Sequence, residues 1–137
     1  MMPMHRKPIF ALALLVGAIA VVSGCTSAPA VDYSAFTACV KDAGVVEYGA
    51  YWCPNCARVK LTLGDAWNSL AYVECDPKCV DTGAGLPDYC KGFTSQTAQC
   101  LEMGVDKYPT WTKDRQILYV GTDLGEVARV SGCPLPD

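Results

Sequence analysis

Two thiols separated by two residues, Cys53-Pro54-Asn55-Cys56, form the pair in this sequence whose spacing implies chemistry most directly. Thiols so placed can make and break a disulfide, supply half of a zinc site or, with a following histidine, attach a haem. The single histidine is His5, and neither Cys53/Cys56 nor Cys75/Cys79 is followed by one, so c-type haem attachment is excluded. A bridge between Cys53 and Cys56 closes almost no loop and would stabilise little, so the pair reads as chemistry rather than as a staple. Structural zinc is the alternative, because the pair and Cys75/Cys79 lie near a zinc-ribbon spacing. Against zinc stand the helical spacing of the residues between the pairs and the signs of export described next.

Basic residues at His5, Arg6 and Lys7 precede an apolar run from Ile9 to Val22. That run is shorter than the roughly 20 residues a membrane-spanning helix needs, and it reads as a secretory signal. Its exit, Val22-Ser23-Gly24-Cys25, resembles a prokaryotic lipobox. That resemblance implies cleavage after Gly24 and a diacylglycerol on Cys25, the alternatives being an uncleaved anchor or an ordinary signal peptide. Residues 1–24 are then a lipoprotein signal peptide, 25–32 a lipidated tether of small and polar residues, and 33–137 one domain. The expected location is the outer face of the cell membrane. Loss of the leader takes Arg6 and Lys7 with it, so the formal charge moves from −3 to −5. No basic patch remains, and nucleic acid is not an expected partner. His5 goes too, which leaves no Cys–His or Ser–His catalytic pair.

The chain has nine cysteines. With Cys25 lipidated, Cys39, Cys53, Cys56, Cys75, Cys79, Cys90, Cys100 and Cys133 remain, an even set in a small exported domain. Disulfides follow, although the pattern alone cannot choose among the pairings.

The elements that must position these thiols are short. Phe36 and Val40 share one face of a helix over 33–43 that Gly44 stops. Val45 to Tyr51 and Ala71 to Cys75 read as strands. Val59, Leu63, Ala66 and Leu70 mark a helix over 56–70, with Pro54 suited to its first turn. Residues 76–94 read as loop. A second helix is expected over 95–103, capped by Ser95 and ended by Gly104. A hairpin turning at Asp114-Arg115 joins strands over 109–113 and 116–120, and Asp123 caps a last helix over 124–131.

Val-Glu-Tyr-Gly-Ala-Tyr-Trp-Cys-Pro-Asn-Cys, over 46–56, resembles the active-site strand and turn of thioredoxins and protein disulfide isomerases. Tyr48 to Pro54, Tyr72-Val73-Glu74-Cys75, and Gly104-Val105 followed by Tyr108-Pro109-Thr110-Trp111 are similar to the thioredoxin-like domain associated with bacterial homologues of vitamin K epoxide reductase. Cys39 and Gly132-Cys133 extend that similarity over roughly residues 36–133. It departs from the family at the longer 76–94 loop and at Asn55, where relatives often carry histidine.

The resemblance implies an α/β thioredoxin fold, a central mixed sheet flanked by helices, with an extra N-terminal helix and extra disulfides. It also implies a thiol–disulfide oxidoreductase that needs no cofactor beyond the Cys53–Cys56 disulfide. Partners would be exported cysteine-containing proteins and a quinone-linked membrane protein resembling vitamin K epoxide reductase. Cys53, at a helix N-terminus where free amides favour a thiolate, would be the nucleophile and Cys56 the resolving thiol. Pro54 stiffens the turn, and Asn55 offers only a neutral hydrogen bond. Trp52 reads either as an apolar lip for substrate or as ordinary core packing. Glu47 is either the buried acid that exchanges a proton with Cys56 or a partly exposed strand residue. Tyr108-Pro109-Thr110 matches the substrate-facing loop with its cis proline, the alternative being a trans proline opening an edge strand. The family pairing implies Cys39–Cys133. Cys75–Cys100 with Cys79–Cys90 competes with Cys75–Cys90 and Cys79–Cys100. A non-enzymatic binding module on the same scaffold is the remaining alternative.

Overall fold

The computed structural model describes residues 30–137. The expected signal segment, Cys25 and the tether up to residue 29 lie outside the described residues.

Helix α1 (Ser34–Asp42) buries Phe36, Thr37 and Val40, and the chain leaves it through Gly44 at φ 77°. Strand β1 (Val46–Gly49) follows, then helix α2 (Pro54–Leu63), whose first residue is a proline. A proline there loses no hydrogen bond, because the first helical N–H has no partner within the helix. Strand β2 (Ala71–Glu74) leads into a long loop holding one short 3-10 turn, Asp88–Cys90. Helix α3 (Thr97–Glu102), strands β3 (Thr110–Lys113) and β4 (Gln116–Val120), and helix α4 (Leu124–Ser131) complete the chain. Asp114 and Arg115 both take positive φ, 49° and 63°, as the two-residue turn between β3 and β4 requires. The Asp123 carboxylate accepts from the Gly125 N–H at 2.8 Å and so caps α4.

The sheet runs β2-β1-β3-β4. β1 and β2 are parallel, and the other pairs are antiparallel. Alternation along the strands divides the core. Trp111 packs with Phe36, Val40, Val59, Leu63, Trp67 and Val127 on one side. Tyr48 and Val73 pack with Cys75, Cys100 and Val105 on the other. This mixed sheet with flanking helices is an α/β thioredoxin-like fold carrying a leading helix and, among the described residues, three disulfides. The disulfides join Cys39 to Cys133, Cys75 to Cys100 and Cys79 to Cys90, with Cα atoms 5.8, 5.8 and 5.6 Å apart.

Three expectations change. The helix over 56–70 is not continuous. It stops at Leu63, Gly64 turns with φ 56° and ψ −139°, and a 3-10 segment (Gly64–Ser69) carries the chain onward. Glycine accepts that backbone at no steric cost. The first strand ends at Gly49, because the chain turns there and the Cys53 N–H bonds back to the Ala50 carbonyl at 3.0 Å. Ser95 does not cap α3: its hydroxyl lies 2.7 Å from that of Thr97, and the helix starts after Gln96 without a side-chain cap.

Candidate functional site

β1 delivers the chain to the N-terminus of α2, and that junction sets the two thiols. Cys53 is the N-cap, in extended backbone, and its sulfur accepts from the Cys56 N–H at 3.5 Å. The first N–H groups of a helix have no intrahelical partner and sit at the positive end of the dipole, so a sulfur placed there meets donors and positive potential. Cys53 is 5% exposed and Cys56 1%, and they are the free thiols among the described residues. The Cys53 thiol also reaches the Tyr108 carbonyl at 3.6 Å.

Across from Cys53 lies the loop before β3. The Tyr108–Pro109 peptide bond is cis, and Pro109 is buried with its carbonyl accepting from the Gly121 N–H at 3.0 Å. Trp52 is 57% exposed and so stands outside the core. Its indole N–H donates to Asp76 at 2.6 Å, and its ring meets Tyr108 edge-on at 6.0 Å. An open groove of about 490 Å³ results, with Trp52, Cys53, Pro54 and Asn55 on one wall and Lys107, Tyr108 and Val120 on the other. Thr110 does not line it. Thr110 is buried, and its hydroxyl, needing a partner there, donates to the Lys107 carbonyl at 2.6 Å.

Behind the thiols, Glu47 is fully buried. One carboxylate oxygen accepts from the Trp67 indole N–H at 2.8 Å, and Oε1 has no partner among the described residues. Burial raises the Glu47 pKa to about 7, against the opposing pulls of the Trp67 bond and the Lys60 charge. The Lys60 ammonium rests 4.1 Å from the Trp67 ring centre and 4.8 Å from that of Tyr72. Burial, above all, also drives the Cys56 thiol far above its ordinary range, and the Glu47 charge adds to this, while a hydrogen bond from the Ala50 backbone opposes it. A thiol held this firmly protonated needs a proton acceptor before it can attack anything.

One functional-looking group was not singled out from the sequence. Glu74, 1% exposed, accepts from the Tyr51 and Asp76 N–H groups and from the Tyr72 hydroxyl. The available signal was alternation, since Tyr72 and Glu74 are two apart in one strand and share a face.

A thioredoxin-like fold with a dithiol at the start of a helix, opposite a cis proline, defines the class of site. No protein-family model matches the chain. The chain is similar to the thiol-disulfide oxidoreductase LTO1 of Arabidopsis thaliana, with 31% identity over 93 residues, covering 67% of this chain and 22% of that protein. It thus spans about a fifth of that relative's length.

Proposed function

We propose that the protein is a thiol–disulfide oxidoreductase acting on cysteine-containing proteins through Cys53 and Cys56. The observation that carries this reading is the placing of Cys53. It caps α2, its sulfur touches both the Cys56 amide and the Tyr108 carbonyl, and it borders the open groove. In the reducing direction the Cys53 thiolate attacks a substrate disulfide, forming a mixed disulfide and releasing one substrate thiolate. Cys56 then gives up its proton, with Glu47 as acceptor, and its sulfur attacks that of Cys53. The Cys53–Cys56 disulfide forms, the second substrate thiol leaves, and two electrons have moved to the substrate. The oxidising direction is the reverse. Trp52 and Tyr108 flank the docking groove, Pro54 and Asn55 continue the wall that holds Cys53, and Pro109 holds the facing loop.

Resemblance favours oxidation of exported proteins, with the electrons passed to a quinone-linked membrane protein like vitamin K epoxide reductase. Lipid on Cys25 would hold the domain at the outer face of the membrane near such a partner. The zinc alternative needs four thiolates together, whereas Cys75 and Cys79 are joined to Cys100 and Cys90. Cys56→Ala tests the main reading against a binding module. It should accumulate mixed disulfides with substrate proteins that reductant releases, and adding Cys53→Ser should abolish them. No trapped species from Cys56→Ala would favour the binding module.

A further inference from the structure

The sheet face beneath α2 carries a second acid. Parallel pairing sets Glu47 opposite Tyr72 and Gly49 opposite Glu74, and the two-residue period turns all four to one face. Gly49 contributes no side chain. Into its place come the Tyr72 hydroxyl and the Cys56 sulfur, each 3.0 Å from the point where a Cβ would stand. That hydroxyl donates to Glu74 Oε2 at 2.9 Å. The other Glu74 oxygen accepts from the N–H groups of Tyr51 at 3.2 Å and Asp76 at 2.9 Å, so the carboxylate is fixed in place.

Glu74 is buried but not sealed off. A cavity of about 190 Å³ is lined by Cys56, Lys60, Glu74, Tyr51 and Tyr89, among others. Tyr51 and Tyr89 form part of its wall as a stacked pair 4.5 Å apart. Tyr89 belongs to the long loop that Cys79–Cys90 ties together. Apolar surface makes up most of the cavity lining, but the Glu74 carboxylate and the Lys60 side chain border it, and the cavity is large enough to admit water. Glu47 is not among its lining residues. The resolving thiol therefore borders a space, wide enough for water, shared with a carboxylate other than Glu47.

We propose that Glu74, through cavity water and the Tyr72 hydroxyl it holds, is a second proton carrier for Cys56, working in parallel with Glu47. The inference rests on the redox reading above. When Cys56 attacks the mixed disulfide, its proton passes into the cavity and on to Glu74. Its sulfur electron pair forms the bond to Cys53, and the substrate sulfur leaves as a thiolate that takes a proton from solvent. In the opposite direction the proton returns to Cys56. Burial and the Glu74 charge keep the Tyr72 phenol protonated well above its ordinary range, so it remains a donor throughout. The groups facing this reaction are Glu47 from β1, Tyr72 and Glu74 from β2, Cys53 and Lys60 from α2, Tyr89 and Lys91 from the long loop, and Tyr108.

Rapid mixing of the reduced protein with glutathione disulfide separates mixed-disulfide formation at Cys53 from its resolution by Cys56. Glu74→Gln preserves the shape and keeps a carbonyl oxygen for the Tyr51 and Asp76 N–H groups, but its NH2 group neither accepts from the Tyr72 hydroxyl nor takes the proton. Tyr72→Phe removes the hydroxyl alone and serves independently should Glu74→Gln misfold. In each, resolution relative to formation should fall about tenfold near pH 6.5, less than the roughly 100-fold at the low end for loss of one acid–base group, because Glu47 remains. The deficit should shrink as pH rises and solvent takes the proton. Glu47→Gln combined with Glu74→Gln should be slower than either alone. Wild-type resolution at every pH in either variant, or a slowing that does not change with pH, would overturn the proposal. Failure of the wild-type protein to form the mixed disulfide at all would instead sink the redox reading.

Discussion

Glu47→Gln probes the feature that the proton chemistry depends on most. Burial gives the Glu47 carboxyl a pKa of about 7, against an ordinary 4.5. The folded state therefore holds the proton more tightly than the unfolded chain. Stability linked to this group is fully present below about pH 4.5 and is lost as pH rises through 7. The gap between those values, at about 1.4 kcal/mol per pH unit, comes to roughly 3 kcal/mol. Glutamine retains a carbonyl oxygen for the Trp67 indole and carries no titrating proton, so its cost or benefit is a constant offset across pH. Urea unfolding of both proteins between pH 4.5 and 8.5, with the structural disulfides intact, gives the difference in stability at each pH. Glu47→Gln should gain on the wild type by about 3 kcal/mol across that range, which is a relative midpoint shift of about 2 M at the slopes usual for small domains. Groups that titrate alike in both proteins cancel in the difference. A difference that stays flat within about 0.5 kcal/mol would mean that burying the Glu47 charge carries no such cost, and would remove Glu47 as acceptor.

Three further outcomes follow from packing and covalent geometry. Gly49→Ala would bring a Cβ to 2.8 Å from Tyr72 and 3.0 Å from Cys56, so thermal unfolding should show a loss of about 1–3 kcal/mol. Removing Cys39–Cys133, which spans 94 residues, should cost more than removing Cys79–Cys90, which spans 11. Loop-closure entropy gives about 4.7 against about 3 kcal/mol, and a reversed order in denaturant unfolding would contradict it. Asp123→Ala loses the bond to the Gly125 N–H and should lower stability by about 1 kcal/mol in the same assay.

What the sequence made legible rests on local preference. Pro54 at the first turn of α2, Asp123 as a cap and the turn at Asp114-Arg115 follow from what each residue's backbone or side chain can do alone. The fold class came with the resemblance carried by Tyr48 to Pro54 and Tyr108 to Trp111. The break at Gly64 was not legible, because a lone glycine inside helical spacing is tolerable and only the tertiary partner differs. After the break, Trp67 reaches Glu47, a contact between residues 20 apart. Glu74 was hidden for a related reason. Alternation puts it on one face with Tyr72, but whether that face meets water depends on the long loop packed over it. Trp52 had two readings of equal standing because its exposure is set by a bond to Asp76, 24 residues away.

Whether Cys53 and Cys56 are an exchanging couple or a staple is decided by their reduction potential. Equilibrating the protein in glutathione buffers of graded potential, followed by alkylation and mass measurement, gives the reduction potential of that pair directly. An exchanging pair should titrate as a two-electron couple between about −270 and −120 mV, with a value near −120 mV marking an oxidant and one near −270 mV a reductant. A potential below about −300 mV, the range of structural disulfides, would contradict an exchanging role.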